Sequence, residues 1–351
     1  MFLRLTRNGK FESIIKTFKR YNFIGKEFDW FGKPSETTKN VILCSGQGFQ
    51  YVGMFQNLER ENRLTEPMVE LMKIANSVLE YDIVRLCVEG PKSKLDKTVQ
   101  CQPAVTLANL VGSELMKKGK PWIFETYPKI AGYSVGEIAA LHLAGSITVH
   151  QAFSITKARA EAMQRASELT ASVLFFVHGL SKDDLQQKCD MIFEKNKGQK
   201  PKFNTFIGIA IDSYPKGHVV GATVDCAKDI LELSTDKIEV TELPVSGAFH
   251  TPLMEPAQEI LYKTLEKMDI KMPKYDLFSN VTGEVYKSPE EIKSLLVRQI
   301  AEPVQWQAIA QQLYKKASTT RTCELGAGNQ LKGMFAKYNR KILRKYFSYS
   351  V

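Results

Sequence analysis

The sequence predicts an α/β protein: a parallel-sheet, hydrolase-like core into which a small ferredoxin-like subdomain is inserted. Three observations carry this. Short apolar runs that end in glycine turns alternate with amphipathic stretches of helical period, the pattern of parallel strands joined by crossover helices. A Gly-x-Ser-x-Gly, Gly132-Tyr133-Ser134-Val135-Gly136, stands between an apolar run and a helical one. Between about 168 and 243 the order changes to β-α-β-β-α-β, the ferredoxin-like signature. The core is therefore expected at 41–167 and 244–351, the insert at 168–243, and a basic leader at 1–40.

Each element has a local reason. Val41–Cys44 is an apolar run that ends at Gly46-Gln47-Gly48, which reads as a buried strand and a tight turn. Helical periods fill 65–80 and 102–119; 129–132 closes a strand, and 135–144 is a helix ended by Gly145. In the insert, Ser172–Val177 is rich in β-formers. Ser181 with Asp184 caps a helix whose apolar positions are Leu185, Cys189, Ile192 and Phe193. Strands near 206–211 and 218–222, a helix at 225–234 and a strand at 238–243 complete it. The α/β pattern then resumes with a helix from 252, a strand near 276–279, helices at 289–301 and 304–316, and a strand at 321–325. Asn339–Phe347 reads as an amphipathic terminal helix.

The bulk numbers narrow the class. At 351 residues the chain suffices for one large domain or two smaller ones, and its 44% hydrophobic and 25% charged content is ordinary for a soluble protein. No apolar run approaches the length of a membrane span. Six cysteines (Cys44, Cys87, Cys101, Cys189, Cys226, Cys323) lie scattered without a CxxC pair. That argues against a zinc site or a disulfide scaffold and fits a reducing compartment, so no metal is expected.

Of the net charge of +10, residues 1–40 carry +5. Within 1–26 the only acid is Glu12, against Arg4, Arg7, Lys10, Lys16, Lys19, Arg20 and Lys26, while Phe11, Ile14, Ile15 and Phe18 follow helical spacing. A basic amphipathic leader of this kind suits a mitochondrial transit peptide, with the matrix as destination. Its single serine, Ser13, is atypical, and a disordered basic tail is the alternative. The remaining chain is mildly basic, which suits an acidic partner.

Gly132–Gly136 has the spacing of a nucleophile elbow. The serine must sit on a sharp strand-to-helix turn, and the flanking glycines let backbone and helix pass close to it. Ser134 would then lie at a helix N-terminus, where free N–H groups favour negative charge. The five-residue pattern alone is equally compatible with an ordinary turn. Of five histidines, His142 falls in the helix after the elbow and is expected to face solvent; His150 sits in a helix start, while His178 and His218 border strands. His250, in the loop Ser246-Gly247-Ala248-Phe249-His250-Thr251-Pro252, is the leading candidate for a general base.

Several segments together resemble the malonyl-CoA:acyl carrier protein transacylases. They are Ser45-Gly46-Gln47-Gly48-Phe49-Gln50, Gln102-Pro103-Ala104, the elbow extended to Glu137, Arg159, the Ala248–Met254 histidine loop, Val297-Arg298-Gln299 with Pro303–Trp306, and Glu324–Gly328. They run in family order from about 40 to 337. The resemblance implies that Ser134 accepts the acyl group and His250 is its base, with a main-chain carbonyl near Gln299 orienting the imidazole. It implies an oxyanion hole from the N–H groups of Gln47 and Val135. Arg159 would hold the free carboxylate of malonyl, because a planar guanidinium matches a carboxylate where a lysine does not. Without the resemblance, Arg159 reads as an exposed helical charge. Met163 and Phe249 match pocket positions, the aromatic limiting space for branched acyl groups.

The implied reaction transfers malonyl from malonyl-CoA to the phosphopantetheine thiol of acyl carrier protein, in support of fatty acid synthesis. It needs no metal or bound cofactor; a monomer is expected. Tyr133 stands where most members have histidine, so altered packing is expected there. Ser45, Phe49 and Ala327 also depart from the family pattern. Asp212 replaces a frequent asparagine and, near Arg159, would compete with the substrate carboxylate. Two other readings remain. A serine hydrolase or thioesterase shares the elbow but has no use for a buried arginine. A nucleic-acid binder would need clustered Lys/Arg with interleaved aromatics, for which only the tail at 339–347 offers a candidate, so no nucleic-acid partner is expected.

Overall fold

Val41, Ile42, Leu43 and Cys44 have no exposed surface, and the strand they form is the centre of the larger sheet. In the computed structural model, residues 39–197, 205–315 and 320–351 are described. The leader lies outside the described residues, apart from Lys39 and Asn40, which already belong to this first strand, β1 (Lys39–Cys44). The sheet runs β7-β2-β1-β8-β9, every pairing parallel. Its other members are β2 (Lys129–Gly132), β7 (Leu277–Phe278), β8 (Thr320–Gly326) and β9 (Tyr346–Ser350). Strands buried on both faces need continuous apolar runs, which is why β1 shows no alternation.

The two longest helices before the elbow, among the described residues, are α1 (Glu66–Leu79) and α2 (Thr98–Gly119). The second packs tightly on the sheet: a Cβ at Gly112 would stand 2.7 Å from the Tyr349 carbonyl oxygen. Pro103 inside α2 leaves the Val99 carbonyl without its helical donor, and the Tyr81 hydroxyl donates to it at 3.4 Å. After β2 come α3 (Gly136–Leu143) and α4 (Val149–Leu169), the latter opened by a complete capping box at Thr148 and Gln151.

The smaller sheet is antiparallel, in the order β4-β5-β3-β6. Its elements are β3 (Ser172–His178), α5 (Lys182–Asn196), β4 (Ile207–Tyr214), β5 (Gly217–Thr223), α6 (Ala227–Leu231) and β6 (Glu239–Glu242). This is the ferredoxin-like order, with its own core that includes Phe175, Leu185, Cys189 and Val220. Ser181 caps α5 through the Asp184 N–H at 3.2 Å. The insert is stitched to the main body where it leaves: the Ala248 N–H donates to Ser172 Oγ at 3.1 Å.

Several elements differ from expectation. The helix at 225–234 is a 3-10 turn, Val224–Cys226, followed by one short α-turn. The helix from 252 begins as a 3-10 stretch, Pro252–Ala257, before α7 (Gln258–Glu266). After α8 (Pro289–Gln299), α9 (Trp306–Leu313) starts two residues later than expected, because Val304 is drawn into a bridge with β4: Asp212 N–H donates to its carbonyl at 2.9 Å and its N–H to Ala210 at 3.0 Å. After α10 (Gln330–Tyr338) the tail is a 3-10 turn, Arg340–Lys345, running into β9 rather than an amphipathic helix. The open edge of β8 offers that segment a full ladder of backbone bonds, which outweighs local helical period. All six cysteines are buried and free, and among the described residues no helix is long and apolar enough to cross a membrane.

Candidate active site

Ser134 follows β2 directly and precedes α3, with φ +53°, in the left-handed region that costs a non-glycine residue on the order of 1 kcal/mol or more. The turn is possible only because its flanks are glycine. A Cβ at Gly132 would lie 2.1 Å from the Gly136 carbonyl carbon, and one at Gly136 2.4 Å from the Cys44 carbonyl oxygen. Two side-chain amides hold the strained residue. Asn280 Oδ1 accepts from the Ser134 N–H at 2.7 Å, and Gln299 Nε2 donates to the Ser134 carbonyl at 3.0 Å.

His250 Nε2 lies 2.7 Å from Ser134 Oγ, and its Nδ1 lies 2.7 Å from the main-chain oxygen of Gln299. A carbonyl only accepts, so Nδ1 carries the proton and Nε2 presents a lone pair to the serine hydroxyl. His250 itself has φ +63°, fixed by its N–H bond to the Ile300 carbonyl at 3.0 Å. Burial first, and then the nearby charge of Arg159, push its pKa down to about 3, against a smaller upward pull from the Gln299 carbonyl. The imidazole is therefore a free base at neutral pH.

Arg159, on α4, is 2% exposed. Nη1 donates to Gln102 Oε1 at 2.6 Å, and Nη2 to Gln299 Oε1 at 2.8 Å and to Ser134 Oγ at 3.2 Å. Nε has no acceptor, and among the described residues no carboxylate lies within ion-pair distance of the guanidinium. Burial holds its pKa down at about 10, still far above neutrality. A buried cation without a counter-ion is expensive, by several kcal/mol in order of magnitude, unless an anion arrives to meet it. Met163, one helical turn along, is buried and accepts from Gln102 Nε2 through its sulfur at 3.5 Å; Phe249 is buried beside the base.

The N–H groups of Gln47 and Val135 donate to none of the described residues. Val135 stands at the N-terminal end of α3, where unpaired donors and the helix dipole favour an anion. The glutamine loop is clamped by Gln330: Oε1 accepts from the Gly46 N–H at 3.1 Å and Nε2 donates to the Gln47 carbonyl at 3.3 Å. Among the described residues no cluster of three His, Cys, Asp or Glu side chains could hold a metal ion.

Residues 41–176 match the acyl transferase domain family. The mitochondrial malonyl-CoA-acyl carrier protein transacylase of Mus musculus is 35% identical over 319 residues, 89% of this chain and 82% of that protein. The chain belongs to the malonyl-CoA-acyl carrier protein transacylase family. Its fold is shared with an acyl-carrier-protein S-malonyltransferase from Bartonella henselae, at a TM-score of 0.79 and 24% identity, covering 89% and 96% of the two chains. A malonyl-transacylase solved in complex with a type II polyketide acyl-carrier protein matches at a TM-score of 0.75 and 25% identity, covering 90% and 96%.

Within the transacylase site the structure gathers Ser134, His250, Arg159 and Gln299 into one hydrogen-bonded group. Two expectations are corrected. Asp212 is engaged elsewhere: Oδ1 lies 3.1 Å from His218 Nδ1 and Oδ2 3.3 Å from Lys182 Nζ. His142 does not point freely into solvent; it is half-buried, with Nδ1 3.0 Å from the Ile147 carbonyl. Tyr133 packs edge-on against Trp306, ring centroids 5.0 Å apart, under Gly46, where a Cβ would meet its ring at 2.7 Å.

Other members of the transacylase site were not assigned from sequence. Glu137 accepts from the Tyr286 hydroxyl at 2.5 Å, the Asn280 N–H at 3.1 Å and Gln299 Nε2. Burial lifts its carboxyl to about 7, against downward pulls from those donors and Arg159. The signal for Glu137 was present: it is the one acid in a helix otherwise composed of apolar residues, glycine and His142. Asn280, Tyr286 and Gln330 left no such mark.

Proposed function

We propose that this chain transfers malonyl from malonyl-CoA to the phosphopantetheine thiol of acyl carrier protein through a malonyl ester on Ser134. The observation that carries the reading is Arg159, a buried guanidinium with no carboxylate in ion-pair contact among the described residues, which reaches the serine oxygen at 3.2 Å. An acyl group bearing its own carboxylate supplies the missing charge, and a neutral one does not.

The steps follow from the geometry. Ser134 Oγ attacks the thioester carbonyl while His250 Nε2 takes its proton. The oxyanion is received by the N–H groups of Gln47 and Val135, where one such donor is typically worth roughly 3–4 kcal/mol. The carbon–sulfur bond breaks, and His250 returns the proton to the coenzyme A thiolate. In the second half His250 takes the proton of the carrier thiol, sulfur attacks the ester, and Ser134 leaves with that proton. Met163 and Phe249 shape the pocket around the acyl group. No resident metal or cofactor enters these steps.

The basic balance of the chain suits an acidic carrier protein, and the solved complex of a related transacylase with a carrier protein supports that partner. The mitochondrial name of the mouse relative supports the same compartment here, with residues 1–40 as the matrix-targeting leader and the mature enzyme a monomer.

Mass spectrometry after mixing with malonyl-CoA tests the reading. The expected result is a malonyl adduct on Ser134, absent from Ser134→Ala, that discharges on addition of carrier protein. Release of free malonate without a transferable adduct would favour the hydrolase.

A further inference from the structure

Beneath Ser134 lies a buried carboxylate that the steps above do not use. Glu137 has no exposed surface, and its two oxygens accept from Tyr286, Asn280 and Gln299. In its ionised form a carboxylate can only accept. Together with the Ser134 carbonyl, which Nε2 also meets at 3.0 Å, it sets which way round the Gln299 amide sits, with NH2 toward Glu137 and the carbonyl toward Arg159, whose Nη2 donates to it at 2.8 Å. A reversed amide would set NH2 against guanidinium and carbonyl against carboxylate, two repulsive contacts in a dry site.

We propose that Glu137 is a positioning residue for carboxylate recognition: by fixing the Gln299 amide, it holds Arg159 in the pose that receives the free carboxylate of the acyl group. The inference rests on the reading of Arg159 given above. Gln299 supports His250 through its main chain, not its amide, so losing the amide orientation leaves the base in place. The same amide also holds the Ser134 carbonyl at 3.0 Å, so some loss is expected with every acyl group; the part that belongs to carboxylate recognition is the change in selection of charged over neutral acyl groups.

The test is the ratio of kcat/KM for malonyl-CoA over acetyl-CoA in the wild type, Glu137→Gln, Arg159→Ala and the double variant. Arg159→Ala is expected to collapse the ratio; if it does not, the reading of Arg159 fails and this inference with it. Once Arg159→Ala collapses it, Glu137→Gln is expected to lower the ratio roughly tenfold, chiefly through KM for malonyl-CoA. In the Arg159→Ala background it should lower the ratio no further, since both act through one guanidinium. If Glu137→Gln slows both acyl groups by the same factor, the residue is merely structural and the inference is overturned. Should Glu137→Gln not fold, Gln299→Met removes the amide and keeps the main-chain carbonyl. It should show the same loss, and an unchanged ratio would overturn the inference.

Discussion

The guanidinium of Arg159 touches Ser134 itself, Nη2 lying 3.2 Å from Oγ. One cation thus serves the atom to be acylated and the charge carried by the acyl group. Its planar fork spans Gln102, Gln299 and Ser134 together, which an ammonium on a flexible stem does not reproduce. Arg159→Lys is accordingly expected to lower kcat/KM for malonyl-CoA by about 100-fold while leaving the charge in place. Steady-state transfer assays check this, and near-normal activity in the lysine variant would show that point charge alone suffices.

Gln330 holds the glutamine loop from outside the site through the Gly46 N–H and the Gln47 carbonyl. Gln330→Ala should therefore blur the Gln47 donor without touching the pocket. The expected signature is a fall in kcat of roughly tenfold with KM little changed, because an oxyanion contact is realised only in the transition state. A change confined to KM would place Gln330 in substrate binding instead.

His250 gives a pH signature in stability. Its folded pKa of about 3 lies below the ordinary 6.5. The unfolded chain therefore takes up a proton as pH falls through about 6.5, while the folded chain does not until about 3. This contribution is fully present above pH 6.5 and lost progressively toward pH 3. Glu137, raised to about 7, acts in the opposite sense, gaining stability as pH falls below 7. It is common to wild type and His250→Asn, so their difference isolates the histidine. Denaturant unfolding should show wild type losing stability relative to His250→Asn between pH 7 and pH 4.5. A constant difference would contradict the depressed pKa.

Two glycines should respond in opposite directions to the same change. At Gly136 a methyl group would meet the Cys44 carbonyl oxygen at 2.4 Å, so Gly136→Ala is expected to destabilise by about 3 kcal/mol or more. Gly333, inside α10, has nothing within 4 Å, and Gly333→Ala should stabilise by up to about 1 kcal/mol. Thermal or denaturant unfolding of the pair checks both signs.

What the sequence discloses here is whatever acts through near neighbours. β1, the elbow glycines and the histidine loop are contiguous in the chain, so their residue types announce the turns they make. Arg159 needed the register of the other motifs, since nothing in its helix distinguishes a buried guanidinium from a solvated one. Asn280 and Gln330 act on backbone atoms far away in sequence, Asn280 on Ser134 and Gln330 on Gly46, and such pairings leave no local trace. The tail departs from its local pattern for the same reason. Its own period is helical, but an unpaired strand edge elsewhere in the fold decides its conformation.

The seams of the ferredoxin-like insert carry a consequence for how this protein can change. Arg159 lies on the helix that leads into the insert, and His250 in the loop that leads out of it. Ser172, at the first strand of the insert, grips that loop at Ala248, and a Cβ at Gly221 would strike Thr251 at 2.6 Å. Drift in the insert is therefore free only on its far face. A transplanted insert from a distant relative would arrive with a different spacing between cation and imidazole, and the graft would be judged by chemistry before it was judged by folding.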